Sequence, residues 1–264
     1  MQYPEPPVAD RAIYRWGALL IVAAVAILWE LAVRLHVVSG MFLPAPSQIL
    51  RELARGLWGG TLLEALRATT VRVVLGLLIG GSVGAVFGLL MGASRRLARL
   101  LNPLVAAVHP VPKLALLPLF MVFFGLGEAP KVIVVSAAAF FPMLLSTMAG
   151  VRHIASVHFD AARTYGASKG QLIRHVVMPG SVPMMLSGLR LAANIAFLSA
   201  IAVEMVAAKN GLGAEVWLAW QVLRLDELFA TLVVISIVGV SVNAILRTLS
   251  HRAAPWLTAR EVTI

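Results

Sequence analysis

The feature that most constrains this chain is a series of long apolar runs. Six of them have the roughly 17 to 25 residues that a helix needs to cross the hydrocarbon core of a bilayer, at residues 13–35, 73–93, 103–124, 132–149, 191–208 and 228–246. Across the 264 residues, 60% are hydrophobic and 13% are charged, whereas about 25% are charged in a typical soluble domain. The sequence therefore predicts an all-α, polytopic membrane protein with six transmembrane helices.

Basic residues are distributed unevenly between alternate connections of these runs. If the N-terminus lies inside, the inner connections are rich in Arg and Lys and poor in acids, while the outer connections are balanced. Cytoplasmic loops carry the excess of Arg and Lys in membrane proteins. We therefore expect both termini to be cytoplasmic, as tails at residues 1–12 and 251–264. The start of the chain lacks the cleavage site of a signal peptide, so the first run is predicted to remain as an anchor.

Charge and cysteine content exclude several classes of function. The net charge is +10, but the basic residues occur in short patches between apolar runs, so we do not expect a nucleic acid partner. A chain without Cys forms no disulfide, zinc-thiolate site or iron–sulfur cluster.

The rest of the chain indicates one membrane domain, at residues 13–250, without inverted repeats. Its outer stretch, residues 37–67, contains LPAPSQILRELARGLW. The Pro-Ser start and the apolar spacing predict a short helix on the outer surface.

A ladder of glycines runs along the second apolar run. Its members lie four residues apart, at Gly76, Gly80, Gly84, Gly88 and Gly92. Small residues at this spacing allow another helix to approach closely. The stripe drifts by about 40° per step around a straight helix, so we expect it to contact more than one neighbour. The ladder fits both a sliding gate helix and ordinary helix packing.

Prolines interrupt the third run around a pair of polar residues. The segment PLVAAVHPVPKLALLPLF places His109, Pro112 and Lys113 together. Irregular backbone at membrane depth is tolerated where it meets protein or a water-filled cavity, and it often marks a substrate route in transporters. These three residues are candidates for a translocation pathway. Alternatively, Lys113 extends to an interface and His109 is merely packed.

Glu204, in the fifth run, is a further pathway candidate. Carboxylates inside membrane spans are costly and usually face a pathway or a bundle interior. It either lines the route or is a structural partner for a cation such as Arg190, and the structural interpretation is slightly favoured.

The polar stretch FDAARTYGASKGQLIRHVVMPGSVP, residues 159–183, predicts two short helices on the cytoplasmic side. Asp160 is expected near the start of the first helix, where a carboxylate suits the positive end. Gly166 ends that helix, and Ser168 begins the second as part of a capping box. Pro179 and Pro183 are expected to end the second helix. Such an elbow is suited to transmitting force from a partner, or its basic residues rest on anionic lipid.

Residues 160–179 resemble the "EAA" loop of ABC-importer permeases, which reads Glu-Ala-Ala, three residues, Gly, nine residues and Ile-x-Leu-Pro. The chain has Asp160, Val176 and Met178 where that signature has Glu, Ile and Leu, and it keeps the spacing. LPAPSQIL, HPVPKLALLPLFMVFFGLGEAPK and AVEMVAAKNGLG are similar to segments of the nitrate, sulfonate and taurine branch. The resemblance covers roughly residues 13 to 250.

This resemblance implies a type I ABC-importer permease fold. It also implies that binding of the solute, ATP hydrolysis and passage through the membrane are carried out by different subunits. The loop at residues 151–183 would dock on a cytoplasmic ATPase subunit through Asp160, Ala161, Ala162, Gly166, Ala167, Ser168 and Pro179. The ATPase would use ATP and Mg²⁺, while this chain, which lacks a P-loop, would bind no cofactor. A periplasmic or surface solute-binding protein would deliver the solute, and two copies of the permease would form a homodimer in the bacterial inner membrane.

The solute and the rival functions remain open at this stage. Lys113 and the positive charge suit a small anion such as a sulfonate, taurine or nitrate. A secondary transporter or a membrane scaffold is the alternative, although the former should have inverted repeats. We do not expect an enzyme, because the chain has neither a metal-binding HExxH motif nor a P-loop.

Overall fold

The computed structural model describes residues 8–253, and every regular element in that range is helical. The first six helices are α1 (Val8–Arg34), α2 (Pro46–Trp58), α3 (Thr61–Gly76), α4 (Ser82–Ala93), α5 (Arg95–Val108) and α6 (Leu117–Phe124). The other six are α7 (Ala129–Arg152), α8 (Ser156–Thr164), α9 (Lys169–Leu172), α10 (Met178–Ala207), α11 (Leu212–Gln221) and α12 (Leu225–Ala253). The predicted all-α class is therefore confirmed for this part of the chain.

The described residues form two compact units. The first takes in the residues up to Leu62 together with Val216–Val234, and the second takes in Leu63–Glu215 with the residues from Ile235 onward. The candidate functional residues lie in the second unit, and the predicted outer helix lies in the first.

Four helical segments of the described chain are long and apolar enough to span a membrane, at Thr61–Ala93, Ala129–Arg152, Lys169–Ala207 and Leu225–Ser250. The pair Arg95–Val108 and Lys113–Phe124 is bent by 84° and makes a fifth if it counts as one broken span. These segments overlap the last five predicted spans. The first predicted span, residues 13–35, coincides with α1, much of whose first half has side chains outside those described. The helix begins at Val8, inside the predicted tail, while residues 1–7 and 254–264 lie outside the described residues.

The second span begins earlier than the predicted residue 73. Helix α3 starts at Thr61 and continues through a π-helical turn, Leu77–Gly81, into α4. This stretch contains the charged residues Glu64, Arg67 and Arg72, which lie before the apolar run that starts at residue 73. Leu, Ala and Arg are good helix formers, however, and the charge of Arg72 is neutralised by ion pairs within the second unit.

All five glycines of the ladder face α7. A Cβ at Gly84 would lie 2.5 Å from the carbonyl oxygen of Phe140, and one at Gly92 would lie 2.6 Å from the Val151 side chain. The partners of the other three, Gly76, Gly80 and Gly88, are also residues of α7. The expectation of several neighbours is therefore wrong. The π-helical turn at Leu77–Gly81 lies within the ladder, and its larger number of residues per turn offsets part of the drift.

The core of the second unit lies between α7 and α10. Val135, Ala139 and Met143 of α7 pack with alanines of α10, and all of these side chains are buried. The alanines lie four residues apart, at Ala192, Ala196 and Ala200. Small side chains at that spacing again allow close approach, so α7 lies between two helices that each present a small-residue stripe.

The short helix predicted within residues 37–67 is present in the first unit as α2. Pro46 occupies its first turn, where a missing N–H costs nothing, and the Gln48 side chain accepts a hydrogen bond of 3.0 Å from the Ala45 N–H. Glu30 of α1 accepts hydrogen bonds from both the N–H and the hydroxyl of Ser47, at 3.0 and 2.8 Å. These bonds hold the start of α2 to the end of α1.

Pro179 and Pro183 do not end the second helix of the polar stretch. From Lys169 to Ala207 the backbone is continuously helical, through α9, a π-helical turn at Ile173–Val177, and α10. Pro179 lies in the first turn of α10, directly after the wider π turn. That turn changes the hydrogen-bond register, so the missing proline donor interrupts the helix less than in a regular α-helix. The elbow is therefore joined to α10 without a break.

Candidate functional site

The elbow consists of α8 and α9, joined by a short turn. Gly166 has a φ of +73°, a left-handed conformation that glycine adopts without a steric penalty, and it ends α8 as predicted. The Ser168 hydroxyl accepts a hydrogen bond from the Gln171 N–H at 3.4 Å, and the Gln171 side chain accepts one from the Ser168 N–H at 2.8 Å. This predicted capping box fixes the start of α9.

Asp160 lies in the middle of α8 and not near its start, because the helix already begins at Ser156. The expectation that it interacts with the positive helix end is therefore wrong. Its carboxylate lies 3.5 Å from the Arg163 guanidinium, in a pair whose side chains are 67% and 66% exposed. A pair this open to water contributes little to stability, so both charges remain accessible to a partner.

The other docking candidates lie on or beside the exposed elbow. Ala161, Gly166 and Ser168 are exposed, and Ala162 and Ala167 are half-buried. Ala161 and Pro179 line the same cavity of about 490 Å³, together with the side chains of His158 and His175. Tyr165, directly after α8, is 91% exposed.

His109 and Lys113 come together on the ring of Phe141 in α7. The imidazole of His109 stacks on that ring with centroids 5.1 Å apart, and the Lys113 ammonium lies 4.5 Å from its centroid. Lys113 also donates a hydrogen bond to the His109 carbonyl, one of the backbone groups freed where α5 ends. Pro112 lies between them at the start of the 3₁₀ turn Lys113–Leu116. A cation–π contact thus holds the break of the third span against α7.

Glu204 is fully buried in an ion pair with Arg72, whose Nη1 lies 2.7 Å from Oε1. The second carboxylate oxygen accepts hydrogen bonds of 2.9 Å from the Thr69 hydroxyl and from the Gly213 N–H. The side chains of Arg72 and Glu204 are only 3% and 0% exposed. The cation that pairs with Glu204 is therefore Arg72 and not Arg190, and this placement favours the structural interpretation of Glu204.

Arg72 extends the cluster towards the loop before α7. Its Nε and Nη2 donate to the two oxygens of Glu128, at 2.6 and 2.9 Å, and Lys131 donates to the same carboxylate at 2.8 Å. These hydrogen bonds, the one from Arg72 foremost, lower the pKa of Glu128 to about 2 against the opposing effect of burial. Four charged side chains thus connect α3, α7 and α10.

The loop residues Asn210 and Gly211, directly before α11, close over this pair. Arg72 donates to the Asn210 carbonyl at 2.8 Å, and Gly211 has a φ of +118°. A Cβ at Gly211 would lie 2.5 Å from the Glu204 carboxyl carbon. Position 211 requires glycine, because its φ angle is positive and because the neighbouring charged groups leave no room for a side chain.

The sequence interpretation missed Arg72, Glu128 and Lys131, which are distant from Glu204 along the chain. One signal was available, because a buried carboxylate needs a cation, and Arg72 is the charged residue nearest the apolar part of the second span. Spacing alone offered no way to choose between Arg72 and Arg190.

Arg190 lies within the span Lys169–Ala207, and its Nε is buried without a hydrogen-bond partner among residues 8–253. Ser187 and Asn194 are three and four residues away, on the same face of α10. The Asn194 side chain donates to that of Asn243 in α12 at 3.2 Å. This face of α10 is a polar stripe within an apolar span.

The sequence is similar to those of known membrane transport proteins. Residues 68–258 match the protein family described as the inner membrane component of binding-protein-dependent transport systems. The chain is 34% identical to a taurine transport system permease protein of Escherichia coli K12, over 95% of this chain and 92% of the relative. It is 31% identical to an aliphatic sulfonates transport permease protein of Bacillus subtilis 168, over 95% and 91%.

A solved structure supports the same fold. The inward-facing MetNI methionine ABC transporter matches with a TM-score of 0.56 and 20% identity, over 77% of this chain and 96% of that chain. At 20% identity this match is evidence for the helical fold and not for a function. The matched part of this chain therefore shares the helical fold of that chain.

Proposed function

Since the chain belongs to the family of inner membrane components of binding-protein-dependent transport systems, we propose that it forms the translocation pathway of an ABC importer. It is a multi-pass membrane protein and a transport component, not an enzyme. The solute that we propose is a small organic anion of the sulfonate class, such as taurine. Uptake is driven by a separate cytoplasmic ATPase that binds the elbow.

The observation that carries this proposal is the exposed elbow and its stiff connections. Helix α8 follows α7 after three residues, and α9 continues as one helical segment into α10. A displacement of the elbow is therefore transmitted to the two helices that form the core of the second unit. An elbow with stiff connections is suited to transmitting the motion of an ATPase subunit to the spans.

The sulfonate class rests on the names of two relatives and on a cation. Taurine and aliphatic sulfonates are the solutes in those names. Arg190 offers buried hydrogen-bonding capacity within a span, with no acid pairing among the described residues. A sulfonate presents oxygens that accept from a guanidinium, and such charge-assisted hydrogen bonds are strong. Lys113, at the break of the third span, is a second candidate cation for the pathway.

The partners follow from the family. We propose two copies of the permease, two ATPase subunits that consume ATP with Mg²⁺, and a periplasmic or surface binding protein. A homodimer places the route on its two-fold axis. The six spans and cytoplasmic termini belong to this proposal, and so does a location in the bacterial inner membrane.

The test is uptake into proteoliposomes that contain the permease, its ATPase and its binding protein. We expect accumulation of radiolabelled taurine or an alkanesulfonate only with ATP and all three proteins present. Uptake without the ATPase, driven by an imposed proton or sodium gradient, would instead establish a secondary transporter. ATP-dependent uptake of a cation or an uncharged solute in place of sulfonates would overturn the substrate class alone.

A further inference from the structure

Three candidate spans line one cavity of about 820 Å³. Gly92 and Ala93 belong to the end of the first, Val151 and Arg152 to the end of the second, and Lys169 begins the third. The connected helices α5 and α8 complete the lining through other residues. Two of these segments thus end at the cavity, and the ends of spans lie at the level of lipid head groups. Lys169 belongs to the part of its 39-residue helix that exceeds the length needed to cross the hydrocarbon core.

The polar part of this cavity is strongly cationic. It is lined by five basic side chains, those of Arg95, Arg99, Arg152, Arg163 and Lys169, and by no carboxylate. Arg163 has a loose, exposed pair with Asp160, while the other four make no ion pair with any described residue. Repulsion between these charges favours a bound anion.

The start of α5 concentrates positive charge in the same place. Arg95 and Arg99 are four residues apart and share a face of that helix, where like charges destabilise it. Arg95 also lies in the first turn, at the positive end of the helix dipole, where an acidic residue would be favourable. An anion in the cavity would offset both effects, because it would approach the helix end and the two guanidinium groups together.

The remaining lining is apolar. Met91 and Val177 are buried, and Phe159, Leu172 and Ile173 present further hydrocarbon to the cavity. A soluble phosphate would leave this surface unused. A phospholipid occupies both parts, with its phosphate among the cations and its glycerol and upper acyl chains against the apolar side chains.

We propose that this cavity binds the phosphodiester head group of an anionic phospholipid such as phosphatidylglycerol. Basic pockets between spans on the cytoplasmic side of membrane proteins have this chemistry. Because Phe159 and Arg163 belong to α8, the lipid contacts the elbow as well as the spans. Its binding holds the elbow in place before an ATPase engages it. The proposed function enters here only through the cytoplasmic orientation of the elbow.

Lipid binding can be measured separately from transport. The purified full-length permease, in detergent and without its ATPase, is titrated with phosphatidylglycerol or phosphatidylcholine, and bound lipid is counted by native mass spectrometry. We expect tighter binding of phosphatidylglycerol. Each Arg or Lys near an anionic lipid contributes about a factor of five in affinity, so Arg99→Gln with Arg152→Gln should weaken binding by about 25-fold.

Arg96→Gln is the matched control, since Arg96 is adjacent to Arg95 and exposed but does not line the cavity. This variant removes the same charge from the same helix, but Arg96 is not in the cavity lining, so phosphatidylglycerol binding should stay within about twofold. Equal effects of Arg96→Gln and Arg99→Gln would overturn the proposal, as would equal binding of the zwitterionic lipid. Displacement of the lipid by millimolar inorganic phosphate would assign the site to a soluble anion.

A third outcome concerns the ATPase. If the double variant binds lipid normally but no longer binds the ATPase in detergent, the cations recognise an acidic protein surface and the lipid proposal is wrong. Since the titration needs no ATP and no solute, its failure leaves the transport function standing. A failure of transport would equally leave the lipid result intact.

Discussion

Arg72 and Glu204 form a buried ion pair of 2.7 Å between α3 and α10. Thr69, Gly213 and Asn210 supply the remaining hydrogen bonds of the two side chains, and Glu128 holds the outer side of the guanidinium. The charges are therefore compensated inside a membrane protein, where an isolated ion is costly. The pair joins two spans, and neither sequence indicates by itself that the two helices are in contact.

The first prediction concerns this pair. Arg72→Met should lower the free energy of unfolding by about 3–5 kcal/mol, because it leaves the Glu204 carboxylate buried and unpaired. Thermal or denaturant unfolding of the purified protein in detergent measures this loss. The control is Arg224→Met, which removes an exposed pair with Glu227 and should cost under about 1 kcal/mol. Equal losses in the two variants would contradict the assigned importance of burial.

The second prediction concerns the pH dependence that Glu128 confers. Its pKa is lowered from 4.5 to about 2 by the Arg72 and Lys131 hydrogen bonds. A lowered folded-state pKa gives stability that is present above the unfolded-state value and is lost as pH falls towards the folded-state value. The stability difference between wild type and Glu128→Gln should be constant above about pH 5 and shrink between about pH 4.5 and 2. A difference that grows on acidification would contradict this sign.

The third prediction separates two neighbouring glycines. A Cβ at Gly80 would overlap the Ser136 carbonyl oxygen, whereas one at Gly81 would lie 3.7 Å from Leu77, at an ordinary contact distance. Gly80→Ala should therefore cost about 1–3 kcal/mol through overpacking against α7. Gly81→Ala should be neutral or slightly stabilising, since alanine favours a helix. Apparent melting temperatures of the two variants make the comparison, and identical values would exclude tight packing at Gly80.

The fourth prediction tests the docking surface of the elbow. Ala162→Trp adds a bulky side chain at a half-buried position of α8 and should abolish ATP-dependent uptake while leaving membrane insertion intact. Leu100→Trp, at an exposed position of α5 before the third predicted span, should keep uptake within about twofold, as expected for a surface substitution. A pull-down of the ATPase with each variant shows whether lost uptake is caused by lost binding of the ATPase. Normal uptake by Ala162→Trp would remove Ala162 from the docking surface.

The fifth prediction concerns Arg190. A charge-assisted hydrogen bond is worth about 1.5–3 kcal/mol, so Arg190→Gln should lower uptake of a sulfonate at limiting concentration by about 10- to 150-fold. Arg190→Lys should retain part of the uptake, because the charge remains but the forked geometry is lost. Basal ATPase activity, measured in parallel, serves as the control for assembly. Undiminished uptake by Arg190→Gln would show that the anion does not use this cation.

Local patterns predicted the elements that depend on a few neighbouring residues. The capping box of Ser168 and Gln171 and the turn at Gly166 are fixed by backbone chemistry within one or two turns of helix. Local patterns failed where hydrogen-bond register mattered. Pro179 was read as a helix stop, but the π turn before it lets the helix continue.

The sequence by itself determined the class of the protein, because apolar runs of span length leave the backbone no structure in a bilayer except helices or closed barrels. It also determined the elbow, through short-range turn and cap chemistry. Only the tertiary structure decided which cation compensates Glu204, which single helix receives the glycine ladder, and which basic side chains share the cavity at the elbow. Each of these depends on which helix faces which, and that arrangement is set by packing between residues far apart in the chain.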